Sequence, residues 1–317
     1  MKKIGILTRD CAGVNAAIRA VVRYAWHHKL EVMGIQRGYQ GLIEGDVLKL
    51  GHRSVSGIIN LGGTVLKAAR SKRFFTEEGQ KQGVETLKDN GIEGLIVIGG
   101  NGSLTAAHIL ASKYGVKVIG VPATIDNDIN GIDLSIGADT AVNVALDALD
   151  KIRDTAISLE RIFVVEVMGR DCGYIALRVA LAGGCEDVIL PEKDFDINKM
   201  CEEITEGNVS GKISWIIIVA EGKAKAADIV KQITKRTGLE TREVVLGHIQ
   251  RGGRPTALDR ILAARMGSYA VELLRKGETD KCVGLRNDEF ITVSLKEAIK
   301  PKDIKVDSYY RLIKILT

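Results

Sequence analysis

Residues 95–103 read Leu-Ile-Val-Ile-Gly-Gly-Asn-Gly-Ser, an apolar run that ends in a glycine-rich turn. Four apolar residues predict a short buried strand, and the glycines predict a tight turn into a helix that begins at Gly102. Free N–H groups at such a helix start can bind an anion, but a plain turn capped by Ser103 explains the pattern equally well. The segment therefore predicts a strand–turn–helix unit and leaves phosphate binding open.

The same alternation of short apolar runs and amphipathic stretches continues along the chain. The predicted strands cover residues 4–7, 95–98, 117–121, 162–167, 215–220 and 244–246. The predicted helices cover residues 15–27, 138–156 and 256–275, besides the helix that begins at Gly102. Strand–helix alternation indicates an α/β fold with mostly parallel sheets and helices on both faces. A rough duplication of the pattern around residue 137 predicts two similar lobes.

The composition narrows the class of protein. The chain has 317 residues, of which 45% are hydrophobic and 27% charged, as in an ordinary globular protein with a substantial core. Aromatic residues make up only 4%, which argues against a stacking platform for single-stranded nucleic acid. The net charge of +5 suits an anionic small ligand without requiring one. No apolar run approaches the ~20 residues of a membrane span, so neither nucleic acid nor membrane is an expected partner.

The five cysteines are odd in number, lie far apart and form no Cys-x-x-Cys pair. A disulfide framework or a zinc site is therefore not expected. The first residues, Met1–Ile4, lack the apolar region and cleavage site of a signal peptide. These features favour a reducing cytoplasm.

A dense polar segment, Thr124-Ile125-Asp126-Asn127-Asp128, follows the predicted strand 117–121. In open α/β sheets, ligands bind at the carboxyl ends of strands. One of the two carboxylates could accept a proton from a substrate hydroxyl, and the other could help to hold Mg²⁺. A loop whose side chains cap backbone groups is the simpler reading. The polar density so close to a buried strand favours a functional site.

Two arginines also lie beside glycine near strand ends, in Met168-Gly169-Arg170 and in His248-Ile249-Gln250-Arg251. Arginine in this position can bind phosphate with two parallel hydrogen bonds. Either arginine alone is more often part of a surface ion pair, but Arg161 and Arg242 lie nearby in sequence and favour a shared anion site. Glu221 ends the strand 215–220, where it could accept hydrogen bonds from sugar hydroxyls or cap a helix.

Taken together, these segments resemble the bacterial ATP-type 6-phosphofructokinase family over nearly the whole chain. The matching motifs lie at residues 3–8, 59–64, 99–103, 122–128, 151–155, 166–170, 181–184, 220–222 and 246–255. The resemblance implies two Rossmann-like lobes with the active site in the cleft between them, usually in a homotetramer. The larger, nucleotide-side lobe would comprise residues 1–137 and 250–300. The smaller, sugar-phosphate-side lobe would comprise residues 138–249 and 301–317.

The family reaction moves the γ-phosphoryl group of ATP to the C1 hydroxyl of fructose 6-phosphate, with Mg²⁺. The resemblance implies that Asp126 is the catalytic base and that Thr124 and Arg170 stabilise the transferring group. The residues implied at the sugar phosphate are Asp128, Met168, Gly169, Glu221, His248 and Arg251, with Arg161 and Arg242 reaching it from a neighbouring subunit. Those implied at ATP and Mg²⁺ are Tyr39, Arg70, Gly100, Asn101, Gly102 and Ser103, with Asn101 and Asp128 at the metal. Those implied at a site for a nucleotide effector are Arg19, Arg23, Arg153, Glu186 and Lys212.

The chain departs from the family pattern on the phosphoryl-donor side. After the first strand the family usually has a Gly-Gly-Asp run and then Pro-Gly, whereas residues 8–15 here are two residues shorter, lack the paired glycines and have Ala12 in place of proline. Asn101 stands where the family has an aspartate that serves Mg²⁺, and an amide adds no negative charge. Ala106 stands where glycine usually lines the adenosine pocket. Pyrophosphate-dependent relatives typically carry Asp at the position of Gly102 and Lys at that of Ala123, so the signature here is of the ATP type.

Three hypotheses follow from this pattern. The favoured one is an ATP-dependent 6-phosphofructokinase with reduced activity or altered use of the donor. The second is a non-catalytic or regulatory paralogue that binds sugar phosphate and has a degenerate ATP site. The third is an enzyme with another donor or another phosphorylated sugar.

Overall fold

The computed structural model describes residues 1–317 as alternating strands and helices. The strands are β1 (Lys3–Thr8), β2 (Glu31–Ile35), β3 (Val47–Leu50), β4 (Gly94–Gly99), β5 (Val118–Pro122), β6 (Ile162–Val167), β7 (Asp187–Ile189), β8 (Trp215–Ala220), β9 (Thr241–Val245), β10 (Lys281–Arg286) and β11 (Glu289–Ser294). The helices are α1 (Val14–His27), α2 (Tyr39–Glu44), α3 (Glu77–Asp89), α4 (Asn101–Tyr114), α5 (Ala138–Leu159), α6 (Tyr174–Ala182), α7 (Ile197–Val209), α8 (Ala226–Thr237), α9 (Ala257–Arg275), α10 (Leu295–Ala298) and α11 (Asp307–Leu316). Short 3₁₀ helices cover Arg73–Phe75 and Gly247–Arg251. None of the helices combines the length and the hydrophobicity that a membrane-spanning helix requires.

The chain divides into two compact units. Unit 1 comprises residues 1–140 and 251–302 and contains a seven-stranded sheet in the order β11-β10-β5-β4-β1-β2-β3. Its five central strands run parallel, while β3 and β11 pair antiparallel at the two edges. The middle strand β4 is buried along its whole length, as expected of a parallel strand with helices on both faces.

Unit 2 comprises residues 141–250 and 303–317 and contains a four-stranded sheet in the order β7-β8-β6-β9. All of its neighbouring strands are parallel. A separate apolar core lies beneath α7 and α8 and includes the fully buried side chains of Ile204, Ile217 and Val219. The prediction of an α/β fold with mostly parallel sheets is confirmed.

The predicted strand at residues 244–246 is wrong in its bounds, because β9 begins at Thr241 and ends at Val245. The strand lies at the edge of the sheet beside β6, where one side of it meets solvent. Arg242 and Glu243 are accordingly exposed. A search for apolar runs cannot find such a strand, since three of its five side chains are polar.

The parallel register places two predicted segments side by side. Gly99 at the end of β4 pairs with Pro122 at the end of β5, and Thr8 at the end of β1 pairs with Ile98 of β4. The three strands therefore end at one edge of the unit 1 sheet. The polar segments that follow them must lie close together at this edge.

Candidate functional site

The loop after β5 is held in a fixed shape by its own polar groups. Asn127 has φ +52°, in the left-handed region that asparagine tolerates better than most residues. Its Oδ1 accepts a hydrogen bond from the backbone N–H of Ser135 at 2.9 Å, and the hydroxyl of Ser135 donates to the carbonyl of Thr124 at 2.7 Å. The backbone N–H of Asp126 donates to Oγ1 of Thr124 at 3.2 Å. The loop is therefore pre-ordered around Thr124 and Asp126.

Asp126 is nearly buried, with 3% of its surface exposed. Its Oδ2 lies 3.4 Å from the Thr124 hydroxyl, which donates to it. A carboxylate held in this way can take a proton from a hydroxyl group placed beside it. Thr124 and Asp126 therefore lie together within this loop.

Asn101, the first residue of α4, contacts the same loop. Its Nδ2 donates to Oδ2 of Asp128 at 2.7 Å and lies 3.3 Å from the Asp128 carbonyl oxygen. The remaining side-chain oxygens, Oδ1 of Asn101 and Oδ1 of Asp128, are buried and accept no hydrogen bond. Buried oxygens without a partner are costly unless something binds them. Oxygen ligands of this kind fit Mg²⁺, so the donor set suits the implied metal.

The other residues implied at the nucleotide differ in their exposure. Gly102 is exposed, and a Cβ added to it would meet nothing within 4 Å. Arg70 is exposed as well. Ser103 is buried, and a Cβ on Gly100 would lie 3.2 Å from Cβ of Thr124, so the turn must approach that loop closely.

Tyr39 lies in the core rather than on the surface. Its hydroxyl donates to the Ser103 carbonyl at 2.8 Å, and its ring lies 4.2 Å from that of Phe74. Burial raises the pKa of the Tyr39 hydroxyl well above its usual range. In this structure Tyr39 therefore supports the first turn of α4 from within.

The shortened segment after β1 brings two residues to the site that the sequence did not single out. Arg9 sends Nη1 to the Ala69 carbonyl at 2.6 Å, across the end of β4. Asn15 is buried, donates to the carbonyls of Leu61 and Gly62, both at 3.1 Å, and accepts from the Val65 N–H at 2.8 Å. In the sequence, only the position of Arg9 and Asn15 after the end of β1 pointed to the site. A position in the sequence does not show the direction of a side chain.

In unit 2, the carboxylate of Glu221 organises the turn after β6. Its Oε1 accepts from the backbone N–H groups of Gly169 at 3.3 Å and Arg170 at 3.0 Å. Arg170 has φ +53°, which side chains rarely adopt, and the two bonds help to hold that conformation. The Met168 N–H donates to Oε1 of Gln250 at 3.1 Å, a residue missed by the sequence analysis. Met168, Gly169, Arg170 and Glu221 are thus brought together.

Arg161 and Arg242 converge on one carboxylate. Nε of Arg161 lies 2.9 Å from Oε2 of Glu240, and Nη2 of Arg242 pairs with Oε1 of the same residue. These contacts lower the pKa of Glu240, chiefly through the adjacent guanidinium of Arg161. The two arginines therefore form one cationic cluster on β9 and the start of β6.

His248 is exposed in the 3₁₀ helix Gly247–Arg251, and Arg251 of unit 1 lies 3.4 Å from the Asp10 carbonyl oxygen.

The residues implied at an effector site fall in both units. Arg19 and Arg23 lie on α1 of unit 1, whereas Arg153, Glu186 and Lys212 lie in unit 2. Lys212 Nζ pairs with Oε1 of Glu186 at 3.2 Å, and Oε2 of Glu186 accepts from the Ile216 N–H at 2.7 Å. Arg153 donates to the carbonyls of Gly183 and Gly184. Unit 2 thus places two cations beside the segment 183–186.

Comparisons with known proteins agree on one family. The model of the phosphofructokinase family matches residues 3–274. ATP-dependent 6-phosphofructokinases of Halothermothrix orenii and Clostridium tetani are 50% and 51% identical, each with 100% of both chains covered. Phosphofructokinase from Saccharomyces cerevisiae is 34% identical with a TM-score of 0.88, over 94% of this chain and 45% of the yeast chain, so this chain spans less than half of that one. A pyrophosphate-dependent phosphofructokinase from Nitrosospira multiformis has a TM-score of 0.87 at 20% identity, over 99% of this chain and 91% of that one, and shows likeness of fold alone.

Proposed function

The chain belongs to the phosphofructokinase family, and from this premise we propose that it transfers the γ-phosphoryl group of ATP to the C1 hydroxyl of fructose 6-phosphate. The products are fructose 1,6-bisphosphate and ADP, and the reaction is a step of glycolysis. The observation that carries the proposal is the pre-ordered loop after β5, in which Asp126 lies beside Thr124 with 3% of its surface exposed. This arrangement suits a base that acts on a substrate hydroxyl.

The chemistry of the step follows from that geometry. Asp126 accepts the proton of the C1 hydroxyl while the hydroxyl oxygen bonds to the γ-phosphorus. The bond from the γ-phosphorus to the oxygen that bridges it to the β-phosphate breaks, and ADP leaves with that electron pair. Thr124 and Arg170 stabilise the charge that develops on the transferring group, where fixed donors are most effective.

Asn101 and Asp128 would hold Mg²⁺ through the two buried oxygens that have no hydrogen-bond partner. The metal supplies neutralising charge to the phosphates of ATP when it is bound. The amide of Asn101 contributes no charge of its own, so we propose that the metal binds less tightly than it would between two carboxylates. Tyr39, Arg70, Gly100, Gly102 and Ser103 are proposed for the ATP side, Tyr39 through its support of Ser103.

Unit 2 carries the residues proposed for the sugar phosphate. Met168, Gly169, Glu221 and His248 would bind it, together with Asp128 and Arg251 of unit 1. The ordered turn at Arg170 supports this assignment, because Glu221 already fixes the backbone there. Arg161 and Arg242 would reach the sugar phosphate of a neighbouring subunit in a homotetramer. Their shared carboxylate, Glu240, keeps the two cations close together.

The finer assignments rest on the family resemblance. We propose that residues 1–137 with 250–300 form the nucleotide-side lobe and that residues 138–249 with 301–317 form the sugar-phosphate-side lobe. We also propose a nucleotide effector at Arg19, Arg23, Arg153, Glu186 and Lys212. The pairing of Lys212 with Glu186 supports an anion-responsive site there. A cytoplasmic location is proposed on the same basis.

A coupled assay tests the proposal. Purified protein is incubated with ATP, Mg²⁺ and fructose 6-phosphate, and fructose 1,6-bisphosphate is measured through aldolase and an NADH-linked enzyme. Product formation that disappears in the Asp126→Asn variant supports the function. Absence of product at millimolar ATP would overturn it. Calorimetry in which fructose 6-phosphate binds and ATP does not would then favour the non-catalytic paralogue, which none of the comparisons supports.

A further inference from the structure

The turn that follows β1 is shorter than in the family pattern, and it begins with the cationic residue Arg9. The backbone N–H of Arg9 donates to the Ile98 carbonyl at 2.9 Å, so Arg9 continues the pairing of β1 with β4 by one residue. The chain then turns through residues 10–13, and Gly13, with φ +93°, leads into α1. The turn is too short for the paired glycines whose N–H groups approach the donor phosphates in the family. Arg9 is the residue that leads from β1 into this shortened turn.

The side chain of Arg9 crosses the end of β4. Its Cγ lies 3.2 Å from the point that a Cβ on Gly99 would occupy, and its Nη1 donates to the Ala69 carbonyl at 2.6 Å. Gly99 precedes the first turn of α4, and Ala69 precedes Arg70. The side chain therefore runs from the end of β4 to the segment of Arg70, along the edge proposed for ATP, and its guanidinium lies at Ala69.

We propose that Arg9 is a donor-specificity residue, whose guanidinium binds the terminal phosphates of the nucleotide in place of the missing N–H groups of the shortened turn. The inference rests on the proposed use of ATP. A planar guanidinium suits phosphate oxygens because it can donate two parallel hydrogen bonds. It also adds positive charge to an edge that already holds the carboxylates of Asp126 and Asp128, which repel a polyphosphate. The uncharged amide of Asn101 attracts Mg²⁺ less than a carboxylate would. Arg9 therefore supplies part of the positive charge that neutralises the phosphates.

Nucleotides with different numbers of phosphates distinguish phosphate binding by Arg9 from a general structural role. ATP and ADP carry phosphates beyond the α-phosphate, whereas AMP does not. Loss of Arg9 should therefore weaken the binding of ATP and ADP and leave the binding of AMP nearly unchanged. A guanidinium that merely fills the site would give the opposite result, since its removal would open space and tighten ATP binding.

The test is isothermal titration of the full-length protein with ATP, ADP and AMP, each in Mg²⁺, and with fructose 6-phosphate. Arg9→Ala should raise the Kd of ATP and ADP by roughly ten- to a hundredfold, as expected for loss of a charged hydrogen bond. The Kd of AMP should change by less than about twofold, and Arg9→Lys should fall in between because it keeps a point charge. Arg265→Ala, which removes a half-buried arginine paired with Asp288, is the matched control and should leave every Kd unchanged.

The possible results distinguish failure of the proposed function from failure of the role proposed for Arg9. If wild-type protein binds no ATP, the proposed function fails and this inference fails with it. If wild-type protein binds ATP and Arg9→Ala binds it equally or more tightly, only the role of Arg9 is overturned. If Arg9→Ala also loses fructose 6-phosphate binding, Arg9→Gln is used instead, because it keeps a polar side chain without the charge. An unchanged Kd for ATP in that variant also overturns the proposal.

Discussion

The amide nitrogen of Asn101 lies 2.7 Å from Oδ2 of Asp128 and joins the first turn of α4 to the loop after β5. The pair therefore holds one negative charge where two carboxylates would hold two. The hydrogen bond satisfies one oxygen of Asp128 and leaves Oδ1 of both residues buried without a partner. An amide in this position stabilises the metal-free protein at the expense of affinity for a cation.

Replacement of Asn101 by aspartate should reverse that balance. The new carboxylate repels Asp128 at hydrogen-bonding distance, so we expect Asn101→Asp to lose about 1–3 kcal/mol of unfolding free energy in EDTA. Mg²⁺ should restore stability to the variant more than to wild type, because a ligand stabilises in proportion to its affinity. Thermal unfolding with and without Mg²⁺ measures both effects.

Asn101→Ala is the control for that experiment, since it removes the hydrogen bond without adding charge. Equal responses of the aspartate and alanine variants to Mg²⁺ would show that the metal does not bind between residues 101 and 128. A lower Mg²⁺ requirement in the activity of Asn101→Asp would give independent support.

Removal of the proposed base should act on the chemical step alone. In Asp126→Asn we expect kcat to fall by roughly 10²- to 10⁴-fold, the usual contribution of general-base catalysis. The Kd of fructose 6-phosphate should change little, because the loop is held by Asn127 and Ser135. Asp89→Asn, at an exposed position at the end of α3, should keep full activity. A kcat within a few-fold of wild type would exclude Asp126 as the base.

The sequence predicted the position of this loop but not its internal contacts. Strand ends can be found from apolar runs such as residues 95–98, and parallel pairing then places Asn101 and Asp128 at one edge of the sheet. Whether two side chains there share a hydrogen bond depends on rotamers that no periodicity encodes. Tyr39 illustrates the same limit, because its match to the family motif did not indicate that its hydroxyl is buried against Ser103.

Gly102 offers a test of charge at the donor side that does not depend on packing. A Cβ there meets nothing within 4 Å, and aspartate is favourable in the first turn of a helix, so Gly102→Asp should fold normally. Its charge should repel the phosphates and raise the Kd of ATP by about tenfold or more relative to the neutral, isosteric Gly102→Asn. Calorimetry on both variants compares the two constants. Identical affinities would place the phosphates of ATP away from the start of α4.

Gly222 should be intolerant of any side chain. A Cβ at this position would lie 1.9 Å from the Arg170 carbonyl oxygen, so Gly222→Ala must displace the turn that Glu221 holds. We expect a stability loss of about 1–3 kcal/mol, as for other overpacked sites, and a higher KM for fructose 6-phosphate. Gly51→Ala, whose new Cβ would meet only Ser54 Oγ at 3.9 Å, is the control. Unchanged kinetics in Gly222→Ala would argue against a role for the Arg170 turn in binding sugar phosphate.

Asp259 makes stability depend on pH. It is fully buried, and its oxygens accept from the N–H groups of Gly137 and Thr140, both at 2.8 Å. Burial raises the pKa of this carboxyl above its ordinary value of 3.8, although the hydrogen bonds act in the other direction. Between the two values the folded protein binds more protons than the unfolded chain, so its unfolding free energy falls as pH rises through that window.

Asp259→Asn removes that titration and turns an NH₂ group toward at least one backbone donor, which should cost about 1–3 kcal/mol. The stability advantage of wild type over the variant should therefore be largest near pH 4 and shrink as pH rises. Urea unfolding of both proteins between about pH 4 and pH 8 measures the difference. An advantage that grows with pH would mean that the hydrogen bonds from Gly137 and Thr140 outweigh burial and that the pKa of Asp259 is lowered.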